Sequence, residues 1–210
     1  MKTKLYWRLL GAGLVCALIA PLATAAGDAA AGKTKFYSCA GCHALPGYTN
    51  AYPSYNVPVV GGQHSDYLVA ALEGYQTKER QHGKHQSSMY GNSVSLSTQD
   101  IEDIAAYLAG IKGNNPGGNV TANPAAGKEK TTACTACHGE DGNSSVAMFP
   151  RLAGQYQSYL VKALEDYKSG VRTNPMMTGV VKDLSATDIQ NIAAYYASQT
   201  KGLTLPPANP

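Results

Sequence analysis

Past its first 25 residues the sequence has no apolar run long enough to cross a bilayer as a helix. It has no surplus of charge there either, because Lys2, Lys4 and Arg8 account for the whole excess of 17 Lys and Arg over 14 Asp and Glu. The missing basic surface argues against nucleic acid as a partner, since phosphates demand one. Period-two alternation bounded by hairpin turns is missing as well, which removes the signal for a sheet. Large core-filling aromatics are scarce, with two Phe and one Trp in 210 residues. A domain of roughly 85 to 95 residues with so little bulk buries a small core and needs another source of buried surface.

Residues 1–25 read as a secretory signal peptide. Lys2, Lys4 and Arg8 precede an apolar run from Leu9 to Ala20, Pro21 breaks it, and Ala23-Thr24-Ala25 supplies the small-residue cleavage pattern. Cleavage there starts the mature chain at Ala26. Cys16 lacks the small residue that a lipidation site expects before it, so lipidation is not expected. The other four cysteines, Cys39, Cys42, Cys134 and Cys137, fall in two identical frames, and none is left over.

Those frames belong to an internal repeat. Cys39-Ala40-Gly41-Cys42-His43 overlays Cys134-Thr135-Ala136-Cys137-His138 at an offset of 95, and Gly32 and Gly127 keep that register. Pro58-Val59-Val60-Gly61-Gly62-Gln63 overlays Pro150-Arg151-Leu152-Ala153-Gly154-Gln155 at an offset of 92. The helical pattern Tyr67 to Tyr75 matches Tyr159 to Tyr167 at the same offset. At an offset of 88, Leu96-Ser97 through Tyr107 matches Leu184-Ser185 through Tyr195, with Ser97 and Asp100, and Ser185 and Asp188, placed as helix-start capping boxes. Gly113 to Asn119 is dense in helix and strand breakers and marks a linker. The expected plan is all-α: a first domain over 26–113, a linker over 114–120, a second domain over 121–202 and a tail over 203–210.

The spacing Cys-x-x-Cys-His presents two thiols to the vinyl groups of a haem, and an imidazole to its iron, from one helical turn. Two covalently bound haem c groups are therefore expected, on Cys39 and Cys42 and on Cys134 and Cys137. Zinc ligation, a redox-active cysteine pair and two structural disulfides compete for the same cysteines, and each leaves the following His unexplained. His43 and His138 are then the proximal iron ligands, and the second axial ligand has to come from a later segment. Met89 and Met177 each stand seven residues before the equivalent Leu96 and Leu184, which selects them. A slip of one residue would select Met176, and His82 or His85 in place of Met89 would give a bis-histidine haem of lower potential. Met148 has no counterpart and reads as packing, while His64 reads as a surface histidine. Pro58 and Pro150 can each offer a backbone carbonyl to the proximal imidazole, or serve only as loop bends. Arg80 and Arg172, equivalent at an offset of 92, can pair with haem propionates or stand exposed after a helix.

In these residues the chain resembles the cytochrome c4 family, two class I cytochrome c domains in tandem. The resemblance is carried by Ala26 to Gly32, by Cys137-His138-Gly139 followed by Asp141 to Ser144, by Phe149 to Gln155, and by both Ala-Ala-Tyr endings. It implies two His/Met haems packed face to face near a pseudo-twofold axis, in a periplasmic protein with at most loose membrane association. It implies one-electron transfer, without catalysis, from a membrane electron donor complex toward a haem-copper terminal oxidase or another periplasmic acceptor. A di-haem peroxidase and a bound electron-accepting subunit of a flavin- or quinone-linked dehydrogenase are the rival readings. The first copy departs from the family pattern at Ala44 to Tyr48 and in the Tyr- and Pro-rich loop through Tyr52, Pro53 and Tyr55, expected to pack over the first haem.

Overall fold

The computed structural model describes residues 27–80, 88–113 and 120–209. Among them ten helices form two matched sets of five, and the only extended pairings are three isolated bridges. The first copy runs α1 (Ala29–Lys35), α2 (Tyr37–His43), α3 (Ser65–Gln76), α4 (Ser88–Ser93) and α5 (Thr98–Gly110). The second runs α6 (Pro124–Glu129), α7 (Thr132–His138), α8 (Gln157–Lys168), α9 (Pro175–Val181) and α10 (Ala186–Ala197). No helix among the described residues is long and apolar enough to cross a membrane.

Local sequence sets the starts of these helices. Asp28 caps α1 by accepting from the amides of Ala30 and Ala31, and Asn123 does the same for α6, where Pro124 takes the first turn. Both expected capping boxes form: Ser97 with Asp100 on α5, and Ser185 with Asp188 on α10.

In each copy the first helix crosses the last at a glycine. A Cβ on Gly32 would lie 1.9 Å from the Asp103 carbonyl oxygen, and one on Gly127 would lie 1.9 Å from that of Asn191. No side chain fits such an approach, so both glycines are steric requirements of the crossing. Polar contacts repeat around it. The Asp28 amide donates to the Asp103 carboxylate at 2.7 Å, and the Asn123 amide to the Asn191 side chain at 3.1 Å. Lys35 pairs with Asp100 and Asp103, and its equivalent Lys130 pairs with Asp188.

The copies are not separate beads. The second core, built on Leu160, Ile189, Ile192, Tyr196 and Leu203, also takes in Tyr55 and Val59 from the first copy. Gly61 and Thr204 exchange both backbone hydrogen bonds at 3.0 Å, so the tail of the second copy clasps the middle of the first. Leu203 beside it is fully buried. The Tyr- and Pro-rich loop serves the same junction: the Gly47 amide donates to the Tyr156 hydroxyl at 2.9 Å, and Asn56 exchanges hydrogen bonds with Ser158. These contacts add to the expected packing over the first haem site, because Tyr48, Asn50 and Tyr55 of the same loop also border the space that the first motif faces. For His64 the expectation is corrected, because it is half-buried with its Nε2 2.8 Å from the Ser144 carbonyl oxygen of the other copy.

Candidate cofactor site

The motif helices α2 and α7 are each seven residues long, which brings both thiols and the imidazole of a motif onto adjoining turns. Cys39, Cys42, Cys134 and Cys137 are free thiols, and none pairs with another. Among the described residues no group of three or more His, Cys, Asp and Glu side chains converges on a point where a metal ion alone could sit. The side chains instead face one continuous cavity of about 860 Å³ shared by the two copies. That volume lies toward the upper end of the about 300–1,000 Å³ typical of small-molecule sites.

The cavity collects every residue that the repeat selected. Cys39, Cys42, His43, Pro58, Arg80 and Met89 line it from the first copy, and Cys134, Cys137, His138, Pro150, Arg172 and Met177 line it from the second. His82 and His85 lie outside the described residues. Met89 enters from α4 and Met177 from α9, both half-buried. Met176, one residue out of register, is 55 % exposed at the cavity mouth. Met148 is 75 % exposed, so the packing role expected of it is not found.

Both imidazoles are buried and identically oriented. His43 Nδ1 lies 2.9 Å from the Pro58 carbonyl oxygen, and His138 Nδ1 lies 2.9 Å from that of Pro150. A carbonyl only accepts, so each Nδ1 carries the proton and donates it, leaving the Nε2 lone pair available to a metal. Burial pushes the basicity of both rings below the usual histidine value, against a smaller opposing effect of the carbonyl bonds. The neutral form required of a ligand is thereby favoured. Burial raises the Cys39 and Cys134 thiols, keeping them protonated.

Where the copies meet, Arg80 and Arg172 form an antiparallel bridge through their backbones. Arg80 stands 5.3 Å from the Tyr67 ring centroid and 5.4 Å from that of Tyr75, and Arg172 stands 5.7 Å from Tyr159 and 5.4 Å from Tyr167. Arg80 also donates to the Tyr67 hydroxyl at 2.5 Å and to the Tyr159 hydroxyl at 3.3 Å. Burial pushes the Tyr159 phenol up, yet the charges of Arg172 and Arg80 outweigh it and bring the group down to about 8. The centre of the cavity is therefore a buried charged cluster of two arginines, with the Asp166 carboxylate 3.9 Å from Arg172.

Sequence reading missed two residues at this site. Gln63 and Gln155 line the cavity and bond across the junction, and their only signal was their equivalence at the end of the Pro58 and Pro150 segments.

The model of the family described as cytochrome c matches residues 29–112 and again 124–200. A cytochrome c4 of Stutzerimonas stutzeri is 35 % identical over 199 residues, covering 84 % of this chain and 91 % of the relative. The chain belongs to the cytochrome c4 family. The crystal structure of reduced recombinant cytochrome c4 from Pseudomonas stutzeri superposes with a TM-score of 0.66 at 34 % identity, covering 83 % of this chain and all of that one. A thiosulfate dehydrogenase from Marichromatium purpuratum matches with a TM-score of 0.69 at 26 % identity, covering 81 % of this chain but 40 % of its own.

Membership of the cytochrome c4 family makes the chain a di-haem electron carrier with two covalently attached haem c groups. Its own residues fit that cofactor. Each half of the cavity holds two free thiols, an oriented neutral imidazole and a thioether. Arg80 Nε is buried without a hydrogen-bond partner among the described residues, a donor left for an anionic group such as a propionate.

Proposed function

We propose that the chain is a periplasmic one-electron shuttle whose irons are held by His43 and Met89 in the first domain and by His138 and Met177 in the second. Cys39 and Cys42, and Cys134 and Cys137, form the thioethers. Pro58 and Pro150 orient the proximal imidazoles, and Arg80 and Arg172 hold propionates. The domain limits are 26–113 and 121–202, the leader over 1–25 is removed on export, and residues 114–120 link the halves. The observation that carries this reading is the assembly of two equivalent thiol, imidazole and thioether sets around one cavity.

Haem supplies a ferric/ferrous couple when bound. The protein's part is to fix its ligands so that little rearranges between the two states. The buried Nδ1 to carbonyl bonds lock both imidazoles, and Met177 stands on a short helix whose start Asn174 caps. His43 with Met89, and His138 with Met177, would hold the two irons and would leave no coordination site for a peroxide substrate, which disfavours a peroxidase. Donors are membrane electron-transfer complexes, and acceptors are a haem-copper terminal oxidase or another periplasmic redox protein.

The ferric protein tests the ligand set directly. Its near-infrared spectrum is expected to show the sulfur-to-iron charge-transfer band, and Met89→Ala or Met177→Ala should each remove half of it. An undiminished band in Met89→Ala would show that the first iron takes another ligand. A second reading, a bound electron-accepting subunit, is favoured by the match to part of a thiosulfate dehydrogenase. Stoichiometric co-purification with a dehydrogenase chain would select it, and a free monodisperse cytochrome would select the shuttle.

A further inference from the structure

The carbonyl that holds each proximal imidazole is wired to the opposite copy. Pro58 O, which accepts from His43, belongs to the same peptide unit as the Val59 N–H. That N–H donates to Gln155 Oε1 at 2.9 Å, and Gln155 Nε2 donates back to the Val59 carbonyl at 2.9 Å. The mirror arrangement is complete. Pro150 O accepts from His138, the Arg151 N–H donates to Gln63 Oε1 at 2.9 Å, and Gln63 Nε2 donates to the Arg151 carbonyl at 3.0 Å. Gln63 and Gln155 are both buried, each 5 % exposed, and share the offset of 92 with the prolines. Each chain of bonds thus runs from a glutamine of one copy, through one planar peptide, to the histidine of the other.

Resonance couples the two ends of a peptide unit, so a bond accepted from its N–H places more negative charge on its oxygen. A more negative oxygen draws harder on the Nδ1 proton and makes the imidazole a stronger donor to a metal. Stronger donation favours the ferric state and lowers the reduction potential. Burial keeps water from masking this polarisation.

We propose that Gln63 and Gln155 are positioning residues that tune the irons across the domain boundary, Gln155 acting on the iron held by His43 and Gln63 on the iron held by His138. The inference rests on the ligand assignment above. A glutamine that merely glues the copies together would loosen the junction without a preference for the opposite haem, whereas the relay demands a crossed effect.

The test uses the intact di-haem protein, with each haem's potential read from its own paramagnetically shifted haem-methyl resonances during a redox titration. Gln155→Ala is expected to raise the potential of the first-domain haem and leave the second unchanged, and Gln63→Ala is expected to do the reverse. Gln155→Glu keeps an acceptor, now charged, for the Val59 N–H, and should lower the first-domain potential even if Gln155→Ala fails to mature. Equal shifts in both haems, a shift confined to the variant's own domain, or no shift at all would overturn the relay. The underlying reading fails separately: an unaltered six-coordinate spectrum in His43→Ala would refute the ligand assignment, whatever the glutamine variants do.

Discussion

Arg80 keeps a formal positive charge in the centre of the cavity, where burial denies it the screening that salt and water give a surface residue. A cation close to an iron disfavours its ferric state, so removing the charge should lower the potential. Arg80→Gln is expected to shift the redox titration of the holo-protein downward, opposite in direction to Gln155→Ala. Single residues were also where sequence reading reached furthest. The motif cysteines and histidines carry a spacing with a mechanical meaning, and Met89 and Met177 could be picked out by register against Leu96 and Leu184. Burial could not be read that way. Met148, apolar and so assigned to packing, borders the cavity and yet is exposed.

Among the elements, the crossings of α1 with α5 and of α6 with α10 are held by backbone contact. Gly32→Ala and Gly127→Ala each force a methyl group into a carbonyl and should cost at least about 3 kcal/mol, read by chemical denaturation of the holo-protein. Losing a cap is milder: Ser185→Ala should cost about 1 kcal/mol in the same assay. The caps also set the acid limit. The Ser185 hydroxyl first, with Lys130 behind it, holds Asp188 down to about 2, while Lys35 leads in depressing Asp100 and Asp103. Carboxyls whose folded values lie below the unfolded value of about 4 stabilise fully above it and lose that contribution as pH falls toward the folded value. Thermal midpoints should therefore begin to fall below about pH 6.5, where the unfolded chain protonates His43 and His138 and the folded one does not, and fall again below about pH 4, with this second fall shallower in Asp188→Asn. The long helices and the two capping boxes were legible beforehand because both are local, set by residues within one turn of each other, whereas the Asp28, Asn123 and Asn174 caps and the short helices α4 and α9 were not read.

For the molecule as a whole, the junction was the illegible part. Comparing two copies reveals what they share but not where they touch, so Tyr55 in the second core and His64 on Ser144 carried no advance signal, and the equivalence of Gln63 and Gln155 did not say that each reaches across to the other copy. The tail carried no advance signal either. Ending the chain after residue 202 removes the buried Leu203 and the paired Thr204, and should lower stability by about 2–4 kcal/mol, as a drop in the thermal midpoint of the holo-protein. The clasp of Thr204 on Gly61 also orders events in time, because Thr204 follows both halves in the chain and can seal them only after each has been made. Until Thr204 is made, the amino-terminal half has to stand with part of its docking face bare, and a chain without that residue closes less firmly.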